Sequence, residues 1–125
     1  MTQGFLITNN PAVRDKYAGR IETAYLENKK LIDVMYFARD KIHEGHRLLT
    51  HPLSGSVKPW QTPYKSIVIT KEKGGLDIES LRIIEGGLAA ANKYADREKE
   101  PLWSEEVLKD FQLIDLELIA GGDIN

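Results

Sequence analysis

A chain of 125 residues falls in the commonest size range for one domain and can bury enough apolar surface to fold without staples. Its 42% hydrophobic and 29% charged content disfavours wholesale disorder and a collagen-like architecture, and its net charge of −2 leaves no domain-wide basic field, so nucleic-acid binding is not expected. The absence of cysteine excludes disulfides, thiolate metal sites and cysteine nucleophiles; any redox chemistry needs a borrowed cofactor or partner, and the residues name no cofactor.

The first residues, Met1-Thr2-Gln3-Gly4-Phe5-Leu6-Ile7-Thr8, lack the basic start and long apolar run of a signal peptide. No later run approaches the roughly 20 apolar residues of a membrane span, so a cytoplasmic protein with no membrane contact is expected. Gly4-Phe5-Leu6-Ile7-Thr8 reads as a buried strand stopped by Asn9-Asn10-Pro11. Asn10 is placed to cap a short helix starting at Pro11, because its side chain accepts a free helical amide and proline suits the first helical position. Gly19 ends that helix. A second, less regular strand is expected over residues 21–26.

Between residues 29 and 44, Leu31, Val34, Met35, Ala38 and Ile42 recur at helical spacing, and Gly45 suits the left-handed position that closes a helix. The stretch that follows has no helical period and holds three of the five prolines within twelve residues. It reads as a long shaped loop with a short strand at residues 47–50. Ser66-Ile67-Val68-Ile69-Thr70 is the strongest strand signal and fits a central strand. Asp77 caps the next helix, with a stripe of Ile78, Leu81, Ile84, Leu88 and Ala91. Gly86-Gly87 inside it costs roughly 1 kcal/mol per glycine relative to alanine, which a close backbone contact would offset. The last helix begins near Ser104, with Glu105 and Glu106 at its positive end, Trp103 stapled on Leu108, and Val107, Phe111, Ile114 and Leu118 as its buried face.

Strands alternating with helices predict a small layered α/β domain spanning residues 1–125, with a mostly parallel sheet of three to four strands flanked by helices. In such a sheet the strand ends share one edge, where Asn9 and Asn10 would meet Thr50 and His51.

All three histidines, His43, His46 and His51, lie within nine residues. Imidazole and carboxylate bind zinc or iron, which makes a metal-binding module one reading. The spacing departs from the zincin helix, whose histidines stand four apart, and a helix ending at Gly45 turns His46 away from His43. His43 is better explained as a cation at a helix C-terminus. His51, before Pro52, is the stronger candidate for a site, because imidazole exchanges protons near neutral pH. Leu53-Ser54-Gly55-Ser56-Val57-Lys58 offers amides, the Ser54 and Ser56 hydroxyls and the Lys58 ammonium to a phosphate or carboxylate, and equally well forms a turn that satisfies itself. It has neither Walker A spacing nor a hydrolase elbow. Trp60, Tyr64 and Lys65 add stacking and charge to the same loop. Asp115, Glu117 and Asp123 are indistinguishable from a solvated face.

Ile7-Thr8-Asn9-Asn10-Pro11, the long motif from His43 through Leu53-Ser54-Gly55-Ser56, Lys58-Pro59 and Pro63-Tyr64-Lys65-Ser66 together resemble the GrdX family, small proteins encoded alongside glycine reductase in anaerobic amino-acid-fermenting bacteria. Trp60 departs from the polar residue expected of the family. The resemblance implies a cytoplasmic setting and an association with glycine or betaine reduction; it supplies no reaction and no catalytic residues. Three readings follow. The first is an accessory or regulatory protein that binds a reductase component or a small anionic metabolite through the loop at residues 43–64, with Asn9, Asn10, His46, His51, Ser54, Gly55, Ser56, Lys58 and Tyr64 as ligand-binding candidates. The second is a small hydrolase or phosphate-handling enzyme using His51 and Ser54. The third is a metal-binding module on the histidine cluster.

Overall fold

The computed structural model describes residues 4–52, 62–95 and 103–121. Strand β1 (Gly4–Thr8) leads through Asn10 into helix α1 (Pro11–Tyr17), and the cap is made as expected, with Asn10 Oδ1 accepting the Ala12 amide at 2.9 Å. Gly19 then turns the chain at a φ of 75° into β2 (Glu22–Tyr25). Helix α2 (Leu31–His43) opens with the Lys30 amide donating to Asp33 Oδ2 and buries all five residues of its expected stripe. It closes at Gly45, whose φ is 111°. Strand β3 (Ser66–Thr70), helix α3 (Ile78–Ala95) and helix α4 (Glu105–Gly121) complete the order. Asp77 caps α3 through the Ser80 amide and hydroxyl, and Ser104 caps α4 through the Val107 amide.

The sheet has the order β2-β1-β3 and is mixed rather than mostly parallel: β1 runs parallel to β2 and antiparallel to β3. The reason lies in the chain after α2. Residues 47–50 run along the outer side of β3 in the opposite sense, with a bridge between Leu48 and Ile69 and amides of Leu49 and Thr50 donating to Val68 O. Because β3 opposes both β1 and this segment, the helical crossover does deliver a segment parallel to β1. That segment keeps only an isolated bridge, and the place beside β1 goes to β3, which enters from the end where β1 leaves.

Two cores lie against the sheet. Ile7, Ile67 and Ile69 pack with α2 and α3, whereas Leu6 and Val68 pack with Val13 and Tyr17 of α1, Ile21 and Ile119 of α4. The alternation of neighbours along β1 and β3 between these clusters is what a sheet covered on both faces requires. β3 is therefore apolar at every central position.

The two later helices depart from the expected faces. Ile78 is 66% exposed, so the α3 stripe begins in effect at the half-buried Leu81. Gly86 has open space where a side chain would stand, so no close backbone approach explains it. In α4, Val107 and Ile114 are exposed, and the buried residues are Asp115 and Ile119, with Leu116 packed beside them. Trp103 meets Phe111 edge-on at 4.8 Å. The helix is turned so that Gln112, Asp115, Leu116 and Ile119, at i, i+3, i+4 and i+7, face the sheet.

Candidate functional site

The polar residues at the exit of β1 hold this turned helix in place. The Asn10 amide donates to Thr8 Oγ1 at 3.0 Å, and Thr8 Oγ1 lies 2.7 Å from Ser66 Oγ. Ser66 Oγ in turn donates to Asp115 Oδ2 at 2.7 Å. Since a serine hydroxyl has one proton, Thr8 must donate to Ser66. Asn10 Nδ2 closes the ring by donating to Asp115 Oδ2 at 3.0 Å and also reaches Gln112 O at 2.9 Å. Two side-chain donors thus fall on Oδ2, and the Ser66 backbone amide also bears on the carboxylate.

Asn9 is equally committed. Its Nδ2 donates to Lys29 O at 2.9 Å and Pro63 O at 2.8 Å, and its Oδ1 accepts the Lys65 amide at 2.9 Å. Both asparagines, expected as ligand contacts, have their side-chain valences filled by the protein and act as positioning residues. Tyr64 is also occupied, its hydroxyl accepting from Gln112 Nε2 at 2.9 Å.

Beside this network lies a cavity of about 460 Å³ lined by Leu49, Thr50, His51, Lys65, Ser66, Asp115 and the last turns of α4 from Glu117 to Gly121. Thr50 is pinned at its rim by accepting the Val68 amide. Lys65 is only 8% exposed and Asp115 only 7%. No ion pair joins Lys65 to a carboxylate among the described residues. Burial pushes the Lys65 amine below its ordinary range, partly opposed by the Asp115 charge. Burial likewise pushes the Asp115 carboxyl above the usual carboxylate range, against the hydrogen bonds from Asn10 and Ser66 and the charge of Lys65. Removing charge from water is costly unless a partner compensates, and here neither partner reaches the other.

The histidines separate. His43 is exposed at the end of α2. His46 is buried at the far end of β3, where Nδ1 lies 2.6 Å from Thr70 O; a carbonyl only accepts, so Nδ1 carries the proton. His51 alone lines the cavity. Among the described residues no group of three or more metal-binding side chains forms. Ser54, Gly55, Ser56 and Lys58 lie outside the described residues, as does Trp60.

The model of the GrdX-like protein family matches residues 5–122. The chain belongs to that family. No curated protein and no solved structure matches it. The match reaches well past the motifs that carried the resemblance and takes in α4, so the whole Asn10–Ser66–Asp115 network of this GrdX-like chain lies inside the family's span. No helix among the described residues is long and apolar enough to cross a membrane.

The sequence singled out His51, which lines this cavity of the GrdX-like chain, and passed over the burial of Asp115 and Lys65 beside it. A signal was present for the first. Within α4 the apolar Leu116 and Ile119 stand three apart with Gln112 and Asp115 on the same side, a stripe that a purely apolar reading passes over. For Lys65 there was no local signal, since burying an ammonium is costly and nothing in the neighbouring residues announces it.

Proposed function

We propose that this GrdX-like protein is an accessory or regulatory component of glycine or betaine reductase systems that binds a small anionic metabolite. The ligand seat is the cavity between residues 49–51, the start of β3 and the end of α4, rather than the loop at residues 43–64 as a whole. The observation that supports it is Lys65: a buried cation without an ion-pair partner among the described residues, lining a cavity of about 460 Å³. Pockets of this size commonly hold small ligands fixed by a few polar groups, and a buried ammonium supplies a charge-assisted contact to a carboxylate or phosphate. The Thr8–Ser66–Asp115 ring and the Asn9 bonds keep the walls fixed before the ligand arrives, which lowers the ordering cost of binding.

The test is titration calorimetry of the wild type and Lys65→Met with acetate, glyoxylate and inorganic phosphate. Binding of at least one anion by the wild type, weakened at least about tenfold by the substitution, supports the reading; about 1.4 kcal/mol separates these outcomes. Equal behaviour of the two proteins contradicts it. An enzymatic reading keeps one supporting feature, His51 on the same cavity as Lys65 and Asp115. It predicts an activity, found in a broad substrate screen, that His51→Ala abolishes. The separated histidines give the metal-module reading no comparable support.

A further inference from the structure

Lys65 and Asp115 are each more than nine-tenths buried and line one cavity, but they do not form an ion pair. Opposite charges that stop short of each other keep most of their desolvation cost, because their mutual attraction falls with distance. The hydrogen bonds around Asp115 sharpen the picture. The internal donors, Asn10 Nδ2 and Ser66 Oγ on Oδ2 together with the Ser66 amide, are three against the roughly four that a carboxylate accepts, so room for a further donor remains. The cavity thus offers an unfilled cationic donor from β3 and, from α4, an anionic acceptor with room for one more donor.

We infer that the cavity takes a small zwitterion of the α-amino-acid class, its carboxylate on Lys65 Nζ and its ammonium on the Asp115 carboxylate. This rests on the reading of the cavity as a ligand seat and names what the seat selects. A simple anion gains Lys65 but meets the repulsion of Asp115, and a simple cation gains Asp115 but meets Lys65. Only a ligand carrying both charges a few bonds apart relieves both buried groups. Selection then arises from the unfavourable half of each wrong ligand as much as from the favourable contacts of the right one. The opposed shifts of the two groups agree with this, since burial drives both toward neutrality and a zwitterion would draw both back. Glu117 on the exposed rim of the α4 side adds negative charge where the ammonium is to lie.

The experiment compares glycine, L-alanine, acetate and methylammonium by calorimetry on the intact protein. Glycine or alanine is expected to bind at least tenfold more tightly than acetate, with methylammonium weaker still. Asp115→Asn keeps an oxygen acceptor for Ser66 and Asn10 and so preserves the fold, which circular dichroism checks. In that variant the amino acid and acetate should bind within about twofold of each other, whereas Lys65→Met should weaken both. If the wild type binds acetate as well as it binds either amino acid, the zwitterion inference is overturned and the anion reading stands. If it binds none of the four, the zwitterion inference falls, and the anion reading falls with it only if glyoxylate and phosphate also fail to bind. The wild-type comparison decides the matter even if a variant fails to fold.

Discussion

The two ends of β3 are built from similar residue types and do opposite things. At the Thr70 end every notable polar group is used by the protein itself: His46 donates to Thr70 O, the Thr70 amide donates to Arg47 O, Thr70 Oγ1 accepts the Arg47 amide, and the Gly74 amide donates to Gly45 O. At the Ser66 end the hydrogen bonds are just as dense, yet they leave the Lys65 ammonium and part of the accepting capacity of Asp115 unfilled beside a cavity. The difference teaches that a concentration of polar residues marks a ligand site only where the protein leaves valences over. Satisfied networks fix a fold, and unfilled buried charges invite a partner.

The comparison is broken most severely at Gly45. A side chain there would overlap the Gly74 carbonyl oxygen, and the φ of 111° is strained for any L residue. Gly45→Ala is expected to destabilise by about 3 kcal/mol or more, measured by urea unfolding. His46→Ala is a milder test of the same end. It should cost about 1–2 kcal/mol through the lost bond to Thr70, and calorimetry should find ligand affinity unchanged. A marked fall in affinity with an intact fold would mean that the closed end takes part in binding.

Asp115→Asn sharpens the other end through pH. The folded carboxyl is raised by burial, so the stability it contributes is fully present below the ordinary carboxylate range and is lost as pH rises through the raised value. The amide has no such loss. Thermal unfolding from acid to neutral pH should therefore show the variant gaining on the wild type as pH rises, whereas a constant difference would place the carboxyl in an ordinary environment. The smallest effect is expected at Gly86, remote from both ends and open to solvent. Gly86→Ala should stabilise α3 by about 0.5–1 kcal/mol in the same urea assay.

The sequence was legible wherever local rules decide. Asn10 and Asp77 cap the helices they were expected to cap, Gly45 closes α2, and the five-residue stripe of α2 is buried in full. These features depend on residues within a turn or two of one another. What depends on distant partners was not legible. Asp115 meets Asn10 across 105 residues and Ser66 across 49, and it is those bonds that turn α4 about its axis and bury a carboxylate on a face expected to be solvated. The antiparallel entry of β3 has the same origin, because strand direction depends on the path of residues 46–65 and not on the strand's own composition. The histidine cluster shows the converse error. Three residues close in the chain separate to a helix end, a buried structural bond and a cavity wall.

The most direct test of Lys65 and its cavity as the ligand seat is an amide ¹H–¹⁵N NMR titration of the wild type and Lys65→Met with glycine and acetate. In the wild type the amides of Thr50, His51, Lys65, Ser66 and the end of α4 should shift saturably, those of Gly45, His46 and Thr70 should stay fixed, and Lys65→Met should lose the response. Shifts centred on His46 and Thr70, or a response that survives loss of the Lys65 ammonium, would contradict the account.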